Sequence, residues 1–187
     1  MVETLVNFTC LFLFFSEMIL LILKRSKSDK VKIRKDKSSM LILWLVISLS
    51  LFFAIDFANV YSGAERFLIL ECLGIFIFML GIIIRFTAIY QLGKAFTVDV
   101  SIAGDQKIKD NGLYKKIRHP SYLGLMLEFL GISLLLNSWY SFLILNVPTF
   151  IALAYRIKVE EELLISSFGT EYENYKKRTK RILPLIY

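Results

Sequence analysis

The chain has 187 residues, of which 56% are hydrophobic, and its mean hydropathy is +0.60. Soluble domains are usually about 45–50% apolar, so this composition excludes an ordinary water-soluble fold. The formal net charge is nevertheless +7, from 23 Lys and Arg against 16 Asp and Glu. Because the apolar and the charged residues are segregated along the chain, we expect one membrane domain, without room for a separate soluble catalytic domain.

The cysteine and histidine content argues against a disulfide framework or a metal centre. Cys10 and Cys72 both lie in apolar runs, where we expect them to be buried apolar fillers. The only histidine, His119, cannot assemble a zinc cluster, so no metal is expected. The first apolar run lacks a basic segment before it and a small-residue cleavage site, so we expect no cleavable signal peptide.

Two apolar runs and the basic loop between them form the N-terminal part, residues 1–66. The runs 5–23 and 40–60 both have about the 20 residues that cross the hydrocarbon core. The loop 24–39 carries eight Lys or Arg and two Asp. Short loops rich in Lys and Arg stay on the cytoplasmic side of a membrane. This loop therefore predicts an integral multi-pass protein with its N-terminus outside and its C-terminus in the cytoplasm.

The second part, residues 67–187, starts with a third apolar run over 67–92. A second basic loop follows at 93–119, and the apolar segment 120–155 is interrupted by Asn137-Ser138, a turn signal. We interpret 120–155 as a helical hairpin whose two halves pack against each other. Gly124 and Gly131 would permit their close approach.

The C-terminal segment, 156–187, is charged again but carries an amphipathic stripe. Leu164, Phe168, Tyr172 and Tyr175 recur at helical spacing. The predicted fold is therefore an all-α polytopic membrane helix bundle of about five transmembrane helices. The last two helices form the hairpin, and a cytoplasmic C-terminal amphipathic helix follows them.

Five ionisable side chains lie inside the apolar runs, where a charge is costly and a functional or paired role is the default hypothesis. Arg85 and Glu128 lie deepest, and an ion pair between the third and fourth helices is one possibility for them. Snorkelling or local pairing accounts for the others, which are Glu17, Asp56 and Glu71.

Two polar motifs flank the predicted hairpin. Before it, the chain reads Arg118-His119-Pro120-Ser121-Tyr122, in which Pro120 at a first helical position makes His119 the expected helix cap. After it, Arg156 is followed by three carboxylates, Glu160 to Glu162. A helix cap and a solvated face would explain each motif alone. The hairpin, however, returns the second motif to the membrane face from which the first departs, so the two should be close in space.

The two motifs together resemble the isoprenylcysteine carboxyl methyltransferase family of integral membrane enzymes. The resemblance rests on Arg-His-Pro-Ser-Tyr, followed 37 residues after the histidine by Arg-x-x-x-Glu-Glu. Leu163-Leu164, Phe168-Gly169 and Glu171-Tyr172 extend it, and it covers roughly residues 70–187. The resemblance implies that 67–187 is a catalytic methyltransferase core, that 93–119 is its cofactor loop and that S-adenosylmethionine is the cofactor.

Carried over position by position, the resemblance also implies roles for individual residues. Arg156 would face the substrate carboxylate, and Glu160 would act beside it in catalysis and in cofactor binding. The other implied cofactor-binding residues are Gln106, Lys107, Ile108, Lys109, Tyr114, His119, Pro120, Ser121, Tyr122 and Glu161.

The expected function is methyl transfer from S-adenosylmethionine to a lipophilic acceptor, with the carboxylate of an isoprenylcysteine-like substrate favoured. The acceptor would be a small or lipidated molecule that enters from the bilayer, and membrane lipids are the other expected partners, without nucleic acid. Three alternatives stay open: a phospholipid amine N-methyltransferase, a relative of NADPH-dependent sterol-type reductases, and a non-enzymatic membrane scaffold.

Overall fold

The structure is a computed structural model, which describes residues 2–23, 31–36, 38–61, 66–93, 96, 100–103 and 107–182. The helices in these ranges are α1 (Val2–Leu23), α2 (Ser38–Tyr61), α3 (Leu68–Leu92), α4 (Pro120–Leu136), α5 (Trp139–Phe168) and α6 (Thr170–Arg178). They also contain strands β1 (Val31–Asp36) and β2 (Val100–Ala103), and a short 3-10 helix at Gly112–Lys115.

The fold is helical, as predicted, and two short strands add to it. β1 and β2 pair antiparallel, with Val31 opposite Ala103 and Asp36 opposite Val100. Each strand lies in one of the two basic loops, so the pairing joins these loops at one end of the bundle. The alternating residues of β1 did not stand out in the sequence because the many charges of that loop also fit a solvated coil.

The hairpin of α4 and α5 turns where the sequence predicts it. Asn137 has a left-handed φ of 54°, and the Ser138 hydroxyl accepts a hydrogen bond from the Ser141 amide at 3.4 Å. The second helix of the hairpin extends beyond the predicted end at residue 155, because α5 has 30 residues and ends at Phe168. Arg156 and the carboxylates after it therefore extend along one helix with the apolar part of the hairpin.

The glycines of α4 face α3, and not α5 as the hairpin prediction had it. A Cβ built on Gly131 would lie 2.6 Å from the Gly74 carbonyl oxygen, and one on Gly124 would lie 2.7 Å from the Gly81 carbonyl oxygen. These opposed glycine pairs let the backbones of α3 and α4 touch, as small residues do between membrane helices. The prediction failed because sequence spacing alone does not tell which neighbour a helix face meets.

The bundle buries a core of large apolar side chains and exposes another apolar set on its outer surface. Phe129, Ile132, Leu135, Leu145 and Leu153 are almost fully buried. Among the exposed residues are Phe52, Ile69, Phe76 and Trp139. An outer surface of this kind is suited to lipid, because water-soluble proteins rarely expose such extensive apolar patches.

Three of the described helices are long and apolar enough to cross a membrane: Ser38–Val60, Leu68–Leu92 and Trp139–Phe168. Two further apolar stretches, Phe8–Ile19 and Pro120–Leu136, are shorter. About five spans were expected, and three of the described helices qualify as spans by length and composition.

Candidate functional site

The start of α4 is tied to the C-terminal segment by backbone hydrogen bonds. The Arg118 amide donates to the Lys180 carbonyl at 2.8 Å, and the His119 amide donates to the Arg181 carbonyl at 3.0 Å. In return, the Lys180 amide donates to the Lys116 carbonyl at 3.0 Å. His119 is the N-cap residue of α4 and Pro120 opens the helix, as predicted. The cap motif is therefore held in place by residues more than 60 positions later in the chain.

Glu161 is the electrostatic centre of this junction. Its side chain is 3% exposed, and Arg118 Nε donates to its Oε1 at 2.8 Å. Arg181 binds the other oxygen, with Nη2 at 3.0 Å and Nε at 3.1 Å, and His119 Nε2 lies 3.5 Å from Oε1. Arg118 also donates to the Thr179 carbonyl. Arg118 and Arg181 thus occupy both oxygens of the Glu161 carboxylate. Glu161 therefore holds these two side chains in place beside His119.

Glu160 is placed differently, although it is adjacent in sequence. Its side chain is 32% exposed, and its Oε2 accepts a hydrogen bond from the Tyr122 hydroxyl at 2.8 Å. Arg156 Nε donates to the same hydroxyl at 3.0 Å, and Arg156 Nη1 donates to Ser39 Oγ at 3.1 Å. The structure thus brings Arg156 and Glu160 together through Tyr122. The predicted proximity of the two motifs is confirmed.

His119 completes this group of side chains. Its ring stacks on Tyr122, with ring centroids 5.6 Å apart and planes 21° apart. Its Nδ1 lies 4.0 Å from Glu160 Oε2. Its Nε2 is buried and has no hydrogen-bond partner within the described ranges. A buried ring nitrogen without a partner is uncommon. This Nε2 lies on the Glu161 side of the ring, and Nδ1 is the nitrogen that faces the half-exposed carboxylate of Glu160.

A cavity extends from this polar group into the bundle. Its empty space is about 620 Å³ including its open mouth. Arg156, Tyr122, Ser121, Arg85 and Glu17 supply the polar part of its lining. The remaining lining is apolar and comes from α1, α2, α4 and the segment after α3, namely Leu13, Met40, Leu43, Trp44, Ile47, Phe96, Leu125 and Phe129. The arrangement suits a molecule with a polar head and an apolar tail.

Tyr114, a predicted cofactor residue, makes contacts within the protein. Its hydroxyl donates to the Ala88 carbonyl at 3.3 Å, and its own carbonyl accepts from Tyr175 at 2.7 Å. Burial raises the pKa of the Tyr175 hydroxyl above its usual range, which keeps it a proton donor. Gly112 has φ +60°, and a Cβ there would lie 2.4 Å from Gln91 Oε1. These contacts fasten the loop before α4 to the end of α3.

The remaining predicted cofactor residues divide into three groups. Pro120 and Ser121 are buried in the first turn of α4, where the Ser121 carbonyl accepts from Arg85 at 3.3 Å. Lys107 is exposed, and Ile108 and Lys109 are half-buried. Gln106 lies outside the described residues. The described residues of 106–109 are not in a strand, and the strand of this loop is β2 at Val100–Ala103.

The charges inside the bundle pair differently from the possibility raised by the sequence. Arg85 forms its ion pair with Glu17 of α1, and not with Glu128. Glu128 is buried, and its Oε1 has no hydrogen-bond partner in the part of the chain that the structure describes. The pairing of Arg85 depends on where α1 packs, which hydropathy does not reveal.

Three site residues were missed by sequence reasoning: Ser39, Arg181 and Glu17 in its pairing with Arg85. Ser39 lies at the start of α2 and is 1% exposed, but a serine at a helix start is ordinary. Arg181 is one of several basic residues near the C-terminus, so nothing in the sequence distinguishes it as the partner of Glu161.

Fold and site together define an integral membrane protein with a polar site at one end of an apolar cavity. A model of the "isoprenylcysteine carboxyl methyltransferase (ICMT) family" matches residues 72–166, which is half of the chain. The chain belongs to the isoprenylcysteine carboxyl methyltransferase family, as the resemblance predicted.

Similar curated proteins carry a related description. The chain is 35% identical over 112 residues to a protein-S-isoprenylcysteine O-methyltransferase of Schizosaccharomyces pombe, covering 57% of this chain and 46% of the relative. It is 30% identical over 128 residues to protein-S-isoprenylcysteine O-methyltransferase B of Arabidopsis thaliana, covering 67% of this chain and 65% of the relative. The chain thus spans about half to two thirds of the length of these relatives.

The solved structure of the eukaryotic intramembrane Ras methyltransferase ICMT, without a monobody, resembles this fold with a TM-score of 0.59. The two chains are 24% identical, and the match covers 82% of this chain and 55% of that one. At this identity the likeness shows a common fold.

Proposed function

We propose that this protein is a membrane methyltransferase that uses S-adenosylmethionine and methylates the carboxylate of an isoprenylcysteine-like acceptor. The observation that carries the proposal is the linkage of Arg156 and Glu160 through the Tyr122 hydroxyl at the head of an apolar cavity. One end of this linkage can hold an anion, the other can hold a cation, and the apolar lining of the cavity suits a lipid tail.

The residues around Glu160 fit the cofactor. S-adenosylmethionine supplies a methyl group on a positively charged sulfur and also carries an ammonium group. The half-exposed carboxylate of Glu160 matches such a cation, and the Nδ1 atom of His119 lies 4.0 Å from its Oε2. We propose that His119, Tyr122 and Glu160 contact the cofactor directly. Glu161 and Tyr114 would position these groups, since both make contacts within the protein.

Arg156 would hold the acceptor carboxylate. Its side chain is almost fully buried and lines the cavity, so its charge is poorly screened by water. A carboxylate is already an anion and needs no general base before it accepts a methyl group. The protein therefore has to position the reactants and exclude water, which can contribute about 7–11 kcal/mol when they are held in line.

The membrane arrangement follows from the same parts. We propose that α1 and α4 cross the bilayer together with the three longer helices, so that the N-terminus lies outside. The site would then be cytoplasmic, at the end of the bundle where the two basic loops pair. A lipophilic acceptor could enter from the bilayer, and the cofactor from the cytoplasm.

The test is methyl transfer by the full chain, purified in detergent and supplied with methyl-labelled cofactor. N-acetyl-S-farnesylcysteine and phosphatidylethanolamine would be offered as separate acceptors. We expect label in the farnesylcysteine product, released as methanol by base because the product is a methyl ester. Arg156→Ala should abolish this signal, and Arg178→Ala, at an exposed ion pair with Asp110, should not. Base-stable label in the phospholipid would instead support the amine methyltransferase, and label in neither acceptor would refute the proposal.

A further inference from the structure

An ion pair in the cavity wall has no role in the function proposed so far. Glu17 on α1 and Arg85 on α3 have side chains that are 11% and 7% exposed. Both line the cavity that also contains Arg156. Removing two charges from water is costly even when they pair, and within apolar helices a buried charge is a candidate for function.

The ordinary role of a buried ion pair is to hold two helices together, and another ion pair of this protein has that role. Arg66 and Glu71 pair at 2.8 Å at the start of α3, where the Arg66 side chain is 38% exposed. Arg66 also donates to the Leu135 carbonyl, at the end of α4. That pair is absent from the lining of the cavity. The Glu17–Arg85 pair differs because it faces the space assigned to the acceptor.

The position of Arg85 connects the pair to the head of the cavity. Arg85 Nη2 binds Glu17, while its Nη1 donates to the Ser121 carbonyl at 3.3 Å. Ser121 precedes Tyr122, whose hydroxyl binds Arg156. The polar end of the cavity therefore presents a second cation and an anion in addition to Arg156.

We propose that the Glu17–Arg85 pair recognises the group next to the acceptor carboxylate, and that this group is an amide. The proposal rests on the proposed function and deepens it. A guanidinium carries five N–H donors and a carboxylate only acceptors, so the pair can donate to an amide carbonyl and accept from its N–H. A fatty acid lacks this group and would use Arg156 alone. Glu17 lies outside residues 72–166, so the N-terminal helix would supply this selectivity.

The test compares two acceptors that differ only in this group. N-acetyl-S-farnesylcysteine carries the amide, and S-farnesyl-3-thiopropionic acid has the same tail, thioether and carboxylate without it. For the full-length wild-type chain we expect a KM about tenfold lower for the amide acceptor, the effect of one or two hydrogen bonds. In Glu17→Gln this preference should be lost through a higher KM for the amide acceptor, with the KM of the other acid unchanged.

Glu71→Gln is the matched control, since it removes a carboxylate from the other ion pair and should keep the wild-type preference. If Glu17→Gln is poorly folded, the double variant Glu17→Leu/Arg85→Leu removes both charges together and is expected to show the same loss. Equal KM changes for both acceptors would assign the pair a purely structural role and overturn the proposal, as would equal KM values in the wild type.

Binding separates this proposal from the proposed function. Each acid's effect on the melting temperature of the purified chain can be measured without cofactor, because a ligand stabilises only the fold that it binds. Failure to methylate either acid would refute the proposed function. A larger thermal shift with the amide acceptor, present in the wild type and lost in Glu17→Gln, would still support recognition by the pair. Equal shifts would overturn it.

Discussion

The Tyr122 hydroxyl joins the residue proposed to hold the acceptor to the one proposed to hold the cofactor, and Tyr122→Phe removes this single atom. Arg156 would lose an acceptor at 3.0 Å and Glu160 a donor at 2.8 Å, while the ring could still stack on His119. Water can replace the hydroxyl at Glu160, which is 32% exposed, but hardly at Arg156, which is 4% exposed.

The magnitudes follow from this difference in exposure. A hydrogen bond to a charged group contributes about 1.5–3 kcal/mol, so kcat/KM for the carboxylate acceptor should fall about 10- to 150-fold. The cofactor affinity should fall by about threefold, the effect of a solvent-replaceable hydrogen bond. We expect no large change in melting temperature because the apolar ring remains.

The assay combines steady-state methyl transfer with calorimetric titration of S-adenosylhomocysteine, both on the purified chain. Tyr90→Phe is the control, since Tyr90 is 86% exposed and its hydroxyl should not affect either quantity. An unchanged kcat/KM in Tyr122→Phe would refute the linkage. If the cofactor affinity falls by a larger factor than kcat/KM, Tyr122 contributes to cofactor binding and not to the position of Arg156.

Arg156→Lys keeps a charge but loses the planar fork that orients a carboxylate. The rate of labelled-methyl transfer should therefore fall, by up to about 100-fold, while the affinity for the cofactor stays unaltered in the titration. Full activity would exclude the orienting role. Glu160→Gln should weaken cofactor binding about tenfold or more, whereas Glu162→Gln, on the exposed side of α5, should leave the titration unchanged. If Glu160→Gln weakens cofactor binding no more than Glu162→Gln does, Glu160 has no specific role in binding the cofactor. Gly131→Ala would place a Cβ 2.6 Å from the Gly74 carbonyl oxygen, so it should destabilise the fold by about 1–3 kcal/mol, seen as a lower melting temperature in detergent; no shift would show that α3 and α4 can separate freely.

Much of the architecture was predictable from the sequence because it depends on local properties. The apolar runs predicted the helices, since hydropathy and length determine whether a segment is stable in lipid. The turn at Asn137-Ser138 and the cap at His119-Pro120 were predicted from the backbone preferences of those residues and are confirmed. The proximity of the two polar motifs followed from the hairpin alone, because two antiparallel helices return the chain to its starting side.

The contacts within the site could be decided only by the tertiary structure. Glu160 and Glu161 are chemically identical neighbours, yet one is half-exposed beside Tyr122 and the other is held by Arg118 and Arg181. Successive residues point about 100° apart around a helix, so the difference arises from what packs against each face of α5.

The same reason explains the partners of the two buried arginines. Arg156 meets Ser39, and Arg85 meets Glu17, across separations of 117 and 68 residues. The sequence identified Arg85 as notable because charges are costly in apolar segments, and Arg156 because of the motif that it shares with Glu160 and Glu161. It could not name their partners, since these depend on how the N-terminal helices α1 and α2 are rotated and placed against the rest of the bundle, a choice made by packing over the whole core.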